Sequence, residues 1–134
     1  MSLKCHGSCI CGAIKFEASI DFTPGTGRCN CSNCWKIRLW FVRVKPEDFK
    51  LLSGEDAITD YVFKSDWHHQ QFCKICGVHT FHKLNRPDLF GEIVSVNVAC
   101  LDNLDVDELM GLKINYLDGR NDNYRNEPKE KQIM

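Results

Sequence analysis

Nine cysteines occur in the 134-residue sequence, and seven of them fall into three short clusters. The clusters are Cys9-Ile10-Cys11-Gly12, Cys29-Asn30-Cys31-Ser32-Asn33-Cys34 and Cys73-Lys74-Ile75-Cys76-Gly77. Cysteines separated by one or two residues can place their thiolates around one tetrahedral ion, about 2.3 Å from each sulfur. The glycine that ends two of the clusters permits a tight turn, which directs backbone amides at sulfur. A single C-x-x-C would also fit a redox site, but three clusters in one small chain predict metal binding.

The seven thiols divide naturally into four and three. Two pairs from distant parts of the chain can close a four-thiolate site, and such a site contributes folding free energy directly. The remaining triplet leaves one tetrahedral position open, which distinguishes catalytic from structural zinc sites. Spacing alone does not decide which pairs combine, and a histidine could close the triplet and make it structural. The candidate histidines are His68, His69, His79 and His82.

The charge of a three-thiolate zinc restricts its chemistry. Three thiolates give the complex a net negative charge, so it is a weaker Lewis acid than zinc held by neutral imidazoles. Such an ion activates water weakly and accepts a soft ligand at its open position. A substrate thiol there would be deprotonated and would stay nucleophilic. The triplet therefore indicates thiol chemistry rather than hydrolysis.

The elements that hold these clusters are predicted to be mainly antiparallel β-strands, with at most one short helix. Apolar residues alternate with polar ones over 13–20, 57–63 and 92–101, which is the period of a half-buried strand. In the last of these, Val94, Val96 and Val98 are expected to point inward, with Ser95 and Asn97 outward. Further short strands are predicted at 39–44, 49–52 and 112–117. The one credible helix covers 105–110, with an acidic first turn and a glycine stop.

Composition and length indicate one ordinary globular domain. Apolar residues make up 43% and charged residues 26%, and the formal net charge is −1, without the basic excess expected of a nucleic-acid binder. No apolar run approaches the roughly 18 residues of a membrane span, and residues 1–5 do not open a signal peptide. We therefore expect a cytoplasmic protein without nucleic-acid or membrane partners, whose thiols bind metal or react. The domain is predicted over 1–119, and 120–134 is a polar tail, mobile or folded over a surface.

With these motifs in order, the sequence resembles the glutathione-dependent formaldehyde-activating enzymes, a family that shares its domain with centromere protein V. The family pattern G-x-C-x-C-G-A corresponds to residues 7–13, and its C-x-C-x-x-C corresponds to residues 29–34. Its F-C-x-x-C-G segment corresponds to residues 72–77, with Phe81 following. Residues 96–102 and 118–120 also resemble family sequences, so the match extends over nearly the whole chain.

The resemblance implies a tent-like β fold of small antiparallel sheets held together by zinc. It implies two ions per chain, and the second is expected to leave more readily because the chain supplies only three of its ligands. The implied ligands of the structural zinc are Cys9, Cys11, Cys73 and Cys76, and those of the catalytic zinc are Cys29, Cys31 and Cys34. The implied activity is that of a carbon–sulfur lyase, which forms or cleaves S-(hydroxymethyl)glutathione. In it, a zinc-bound thiolate of glutathione would react with formaldehyde.

One position departs from the family pattern. Many relatives carry a basic residue directly after the third cysteine of the triplet, whereas this chain has Trp35, followed by Lys36 and Arg38. If that basic residue meets a substrate carboxylate, the thiol here need not be glutathione. Lys36 and Arg38 could take over the role, or they could simply lie on a solvated strand face, which is the favoured interpretation. The same chemistry on a different thiol is therefore one alternative. A non-catalytic zinc-binding module of the centromere protein V type is the other.

Several residues outside the clusters have both a structural and a functional interpretation. Cys100 is expected to be a small core residue, and Cys5 is expected to be a strand-end thiol rather than an extra ligand near Cys9. His79 and His82 could donate protons or could simply be strand residues with satisfied hydrogen bonds. Three tryptophans could line a substrate pocket or pack in the core. They are Trp35, Trp40 and Trp67.

Overall fold

The computed structural model describes residues 1–63 and 66–134, and it confirms the mainly β fold class. Within this part of the chain, ten strands form one sheet of three strands and one of seven. In chain order the strands are β1 (Leu3–Ser8), β2 (Lys15–Ile20), β3 (Thr26–Cys29), β4 (Phe41–Val44), β5 (Phe49–Ser53), β6 (Ile58–Phe63), β7 (His68–Cys73), β8 (His79–Arg86), β9 (Gly91–Asn97) and β10 (Ile114–Leu117).

The small sheet has the order β1-β2-β5, and both of its strand pairs are antiparallel. Its central strand shows the alternation that the sequence predicts. Phe16, Ala18 and Ile20 are buried, whereas Lys15 and Ser19 are exposed. This sheet therefore presents one apolar face to the interior and one polar face to solvent.

The large sheet has the order β10-β3-β4-β9-β8-β7-β6. Its strand pairs are antiparallel except for β3 and β10, which run parallel. The expectation of purely antiparallel sheets is wrong at this edge. Parallel strands need a long crossover, and here most of the chain lies between the two partners, so no local turn signal could indicate their pairing.

The core lies between the two sheets and is organised around three phenylalanines. The ring of Phe16 lies 5.4 Å from that of Phe49 and 6.1 Å from that of Phe81, and the rings of Phe49 and Phe81 are 4.6 Å apart. Buried aromatic rings at these separations contribute both apolar burial and ring–ring attraction. Because Phe81 belongs to β8, this contact holds the small sheet against the strand that follows the last cysteine pair.

Two short α-helices occur in the described residues, one more than the sequence predicts. Helix α2 (Val106–Met110) is the predicted one, and Asp105 and Glu108 form a reciprocal capping box at its start. Helix α1 (Ser32–Ile37) was missed because its cap is a cysteine. The Cys31 side chain accepts a hydrogen bond from the backbone N–H of Cys34, in place of the usual serine or aspartate.

The predicted strand over 92–101 is shorter in the structure. Strand β9 ends at Asn97, whose side chain accepts a hydrogen bond from the Ala99 backbone and begins a 3-10 turn over Val98–Cys100. Val94 and Val96 are buried as predicted, but Ser95 is buried as well. The outward assignment of Ser95 is wrong because the second face of β9 is also covered.

The C-terminal residues fold back onto the domain. They contain 3-10 turns at Gly119–Asn121 and Lys131–Ile133, and Asp118 pairs with Asn123 in an isolated bridge. Among the described residues, no helix has both the length and the apolar character needed to cross a bilayer.

Candidate metal centres and active site

Four thiols from two distant turns meet at the junction of the two sheets. Cys9 and Cys11 lie in the turn between β1 and β2, Cys73 ends β7, and Cys76 lies in the turn before β8. The ligand atoms of all four residues lie within 4.8 Å of one another. Cys11 Sγ is 3.6 Å from both Cys9 Sγ and Cys73 Sγ. A tetrahedral zinc with 2.3 Å bonds separates its sulfurs by about 3.8 Å, so the geometry fits such an ion.

The two turns that carry these thiols have matching backbones. Gly12 and Gly77 both adopt positive φ, at 79° and 78°, and their N–H groups bond to the carbonyls of Cys9 and Cys73. A residue with a Cβ is strained in that conformation, so glycine fits each position. Backbone amides also stabilise the anionic thiols. The N–H groups of Cys11 and Val78 lower the pKa of Cys76 to about 6, which favours the thiolate that metals bind.

The remaining three clustered thiols meet where β3 passes into α1. Cys29 ends the strand, Cys31 caps the helix, and Cys34 lies in its first turn. Their sulfurs lie within 4.8 Å of one another. The backbone N–H of Cys31 points to Cys29 Sγ at 3.5 Å, and that of Cys34 points to Cys31 Sγ at 3.4 Å. Hydrogen bonds from the thiols of Cys29 and Cys34 lower the pKa of Cys31, which favours a thiolate at this position of the triplet.

The C-terminal segment fixes the triplet loop through a buried asparagine. Asn30 is fully buried, and its Nδ2 donates to Asp118 Oδ1 at 2.8 Å and to Glu130 Oε1 at 2.6 Å. Its Oδ1 accepts from the backbone N–H of Arg120 at 2.9 Å. Sequence reasoning did not assign a role to Asn30, although residues 118–120 were among the segments that resembled the family. The segment predicted to be a polar tail thus supports the loop that carries the triplet.

A cavity of about 430 Å³ opens beside the triplet. Aromatic and cationic side chains form much of its wall, and Arg43 is an exposed residue that lines it. The Arg43 guanidinium lies 5.3 Å from the ring centroid of Phe41 and 4.9 Å from that of Phe90, which orients its planar donors. Tyr124 also lines the cavity, and burial together with the nearby Cys29 raises its pKa. Tyr124 therefore keeps its proton at neutral pH.

The four candidate histidines fall into different places. His68 and His82 line the cavity, His79 lies in a neighbouring cleft, and His69 pairs with Asp60 at 2.8 Å. In the described part of the chain, no histidine nitrogen lies within 4.8 Å of all three triplet sulfurs. The geometry therefore gives no support to a histidine that closes the triplet.

The basic residues next to the triplet do not reach the cavity. Arg38 and Arg120 stack on the ring of Trp35, at 5.0 and 5.2 Å from its centroid, and Arg38 also donates to the Ile133 carbonyl. Lys36 lines the neighbouring cleft. Of the described residues, the arginines that line the cavity are Arg43 and Arg86. Sequence reasoning missed both because they lie on strands far from the cysteine motif.

The remaining candidates are mostly structural. Cys100 is buried, as expected of a core thiol, and Cys5 is buried in the middle of β1. Trp40 donates its indole N–H to Thr26 Oγ1 at 2.7 Å and so joins β3 to its neighbour. Trp67 is the tryptophan that lines the cavity, where Arg86 stacks on its ring at 4.7 Å.

Comparisons with known proteins place the chain in a family. A Penicillium rubens protein, named as a candidate glutathione-dependent formaldehyde-activating enzyme, is 27% identical in an alignment of 104 residues that covers 75% of this chain. The chain spans about half, 52%, of that relative. The crystal structure of a Rhodobacter sphaeroides protein matches 81% of this chain and 98% of its own, with a TM-score of 0.69 and 27% identity. Residues 4–114 match the model of one family, and the chain therefore belongs to the glutathione-dependent formaldehyde-activating enzyme family.

Proposed function

We propose that this chain is a zinc-dependent carbon–sulfur lyase that forms or cleaves the adduct of a glutathione-like thiol with formaldehyde. The observation that carries the proposal is the three-thiol cluster, which opens into a cavity lined by cationic and proton-donating groups. Membership of a family named for glutathione and formaldehyde supports the same chemistry. A reducing compartment such as the cytosol suits this function, because cysteines that hold a metal must stay out of disulfides.

The donor sets fit zinc at both clusters. Cys9, Cys11, Cys73 and Cys76 offer four sulfurs at tetrahedral spacing, so we assign them to a structural ion. The triplet offers three sulfurs beside open space, so we assign Cys29, Cys31 and Cys34 to a catalytic ion. When bound there, zinc would accept a substrate thiol at its fourth position and lower the pKa of that thiol.

The chain's own residues then orient the two substrates. Arg43 presents a planar guanidinium to the cavity, which suits a carboxylate of the thiol substrate. Tyr124 remains protonated and can donate a hydrogen bond to the aldehyde oxygen. The aromatic side chains of the cavity wall present apolar surface to the aldehyde carbon.

The overall reaction is balanced without a redox partner. The thiol loses its proton, its sulfur forms a bond to the aldehyde carbon, and the aldehyde oxygen gains a proton. In reverse the C–S bond breaks, and both the aldehyde and the thiol are released. The site must therefore remove one proton and supply one proton in each turnover.

The identity of the thiol has one specific alternative. The position after Cys34 is Trp35, which packs between arginines and does not line the cavity. Arg43 is then the basic group that we assign to substrate recognition, and it can serve any thiol with a carboxylate at a suitable distance. A thiol other than glutathione is thus the second candidate.

The test compares Cys31→Ser with Cys100→Ser, which changes a buried thiol outside both clusters. Exchange between free formaldehyde and its glutathione adduct is followed by carbon-13 exchange NMR on zinc-loaded protein. We expect Cys31→Ser to abolish catalysed exchange and to lower the metal content from about two ions to about one. Cys100→Ser should retain both. Full exchange activity in folded Cys31→Ser would contradict the assignment.

Recognition of the thiol is tested separately with Arg43→Gln. The variant should raise the KM for glutathione by about tenfold or more, since a charged hydrogen bond is lost. Cysteamine, a thiol without a carboxylate, is the matched control and should react equally well with both proteins. An equal loss with both thiols would exclude Arg43 as the carboxylate-binding residue.

A further inference from the structure

Three histidines form a continuous row on one face of the large sheet. His68 Nε2 lies 3.2 Å from His82 Nδ1, and His79 Nδ1 lies 3.0 Å from His82 Nε2. Both ring nitrogens of His82 are therefore engaged by other imidazoles. Each contact has the length of a hydrogen bond, so one nitrogen of each pair carries the proton that the other accepts.

A β-bulge in β8 produces this row. Gln71 pairs with Phe81 and Phe72 pairs with His79, so Thr80 is an extra residue in β8. In a regular strand, side chains three residues apart point to opposite faces. The extra residue places His79 and His82 on the same face, and bulges reorient side chains in this manner next to active sites.

The two ends of the row lie in different openings. His68 lines the cavity that contains the triplet thiols. His79 lines a second cleft of about 430 Å³, between α1 and the strand pair β6–β7. His82 is fully buried between them. The row thus connects the candidate active site to a separate surface opening.

The environment keeps His82 neutral at rest. Burial, followed by the proximity of His68 and His79, lowers the pKa of His82 to about 2. Burial also lowers the pKa of His79. Across the sheet, His82 is flanked by uncharged Gln70 and Ser95. Among the residues that the structure describes, the titratable and charged groups that share the two openings with the row are Cys29, Cys31, Cys34, Arg43, Arg86, Asp122 and Tyr124 in the cavity, and Lys36 and Tyr61 in the cleft.

We propose that His68, His82 and His79 form a proton relay between the triplet cavity and the cleft beside α1. When Nδ1 of His68 takes up a proton from the cavity, the Nε2 proton of His68 moves to His82 Nδ1. His82 then passes its Nε2 proton to His79 Nδ1, and His79 releases its own Nε2 proton to the cleft. All three rings thereby change tautomer together, and the reverse sequence returns a proton to the cavity.

The relay rests on the proposed function, because that reaction removes one proton and supplies another in each turnover. A thiol substrate bound at the triplet would occupy part of the cavity through which water could otherwise carry protons. The histidine row remains as a path through the protein, with His82 as a transient carrier rather than a resting site for the charge.

The relay is tested by the proton released when zinc-loaded protein binds glutathione, measured by stopped flow with a pH indicator. His82→Gln and His79→Gln break the row at its centre and outer end, and His69→Gln is the control outside the row. We expect the two row variants to release the same amount of proton at least about tenfold more slowly. The control should match the wild-type protein. Unchanged rates in both row variants would overturn the relay.

Rescue and spectroscopy separate the relay from a structural effect. Millimolar imidazole should restore proton release in His79→Ala, whose missing ring borders the open cleft, but not in His82→Ala. In nitrogen-15 spectra, couplings across both N···N contacts and one shared tautomer are expected. An independent tautomer for His82, or its protonation near pH 6, would overturn the relay. If the wild-type protein released no proton on binding glutathione, the proposed function would be refuted. The relay would then stand or fall on the couplings and the shared tautomer in the nitrogen-15 spectra.

Discussion

The substitution Gly119→Ala tests whether the C-terminal segment positions the triplet. A Cβ at position 119 would lie 2.5 Å from Cys29 Sγ, and also 3.4 Å from both Cys31 Cβ and the Tyr124 hydroxyl. A carbon and a sulfur in ordinary contact are about 3.5–4 Å apart, so the two atoms must separate by about 1 Å or more. Gly119 does not adopt positive φ, so the added methyl group acts through this collision rather than through backbone strain.

The expected magnitude follows from the cost of overpacking, which is about 1–3 kcal/mol. If displacement of Cys29 relieves the collision, that cost appears as weaker zinc binding at the triplet, by about fivefold to more than a hundredfold. The four-thiol site is distant and should keep its ion. Zinc affinity is measured by competition with a chromophoric chelator, and the two sites are distinguished by their order of release.

The matched control is Gly111→Ala, where a Cβ would lie no closer than 3.5 Å to the nearest carbonyl and φ is −79°. This control should bind both zinc ions as the wild-type protein does. If Gly119→Ala bound its second zinc as tightly as Gly111→Ala, the close approach of the C-terminal segment to Cys29 would be refuted.

Three further predictions address the four-thiol site, the buried asparagine and an exposed histidine. Cys76→Ser should lose the structural zinc and have a Tm well below that of Cys100→Ser, because the ion joins thiols 62 residues apart in sequence. Equal Tm values and equal metal contents in the two variants would refute the structural role of this ion. Asn30→Ala should lower the free energy of unfolding by about 1–3 kcal/mol in urea titrations, since buried Asp118 and the Arg120 backbone lose their hydrogen bonds to it, and an unchanged midpoint would argue against it. The Asp60 carboxylate raises the pKa of His69, so the stabilisation is complete below the unfolded pKa of about 6.5 and is lost as pH rises through the folded value. At low pH the wild-type protein should be more stable than His69→Gln by at most about 0.5 kcal/mol, because the pair is exposed. The urea midpoints of the two proteins should become equal above the folded pKa, and a difference that grew with pH would contradict the prediction.

The prediction of strands was correct where one face of the strand is apolar and the other is polar. The alternation in β2 follows directly from its position at the edge of the core, with Phe16 and Ile20 buried and Lys15 exposed. Strands β7 and β8 were not predicted, because their sequences are rich in histidine and glutamine. Several of their buried side chains are polar, including those of the histidine row. A method that looks for alternating apolar residues therefore does not detect these strands.

The thiol clusters could be predicted because their geometry is local. A spacing of one or two residues is sufficient to bring two sulfurs together, whatever the rest of the chain does. The supports of the triplet could not be predicted in this way. Asn30 bonds to Asp118, 88 residues away, and no short-range pattern connects the two. The parallel pairing of β3 with β10 has the same origin, because it joins segments with no turn between them.

By itself, the sequence determined the mainly β class, the three cysteine clusters and their capacity to bind metal. Only the tertiary structure decided that Cys9 and Cys11 meet Cys73 and Cys76, and that the triplet faces a cavity rather than a fourth protein ligand among the described residues. It also decided that one bulge aligns His79 with His82. The physical reason is the range of the interactions involved. Turns and strand periodicity depend on a few neighbouring residues, whereas a cavity, a shared ion site or a row of hydrogen-bonded rings forms only when distant segments pack together.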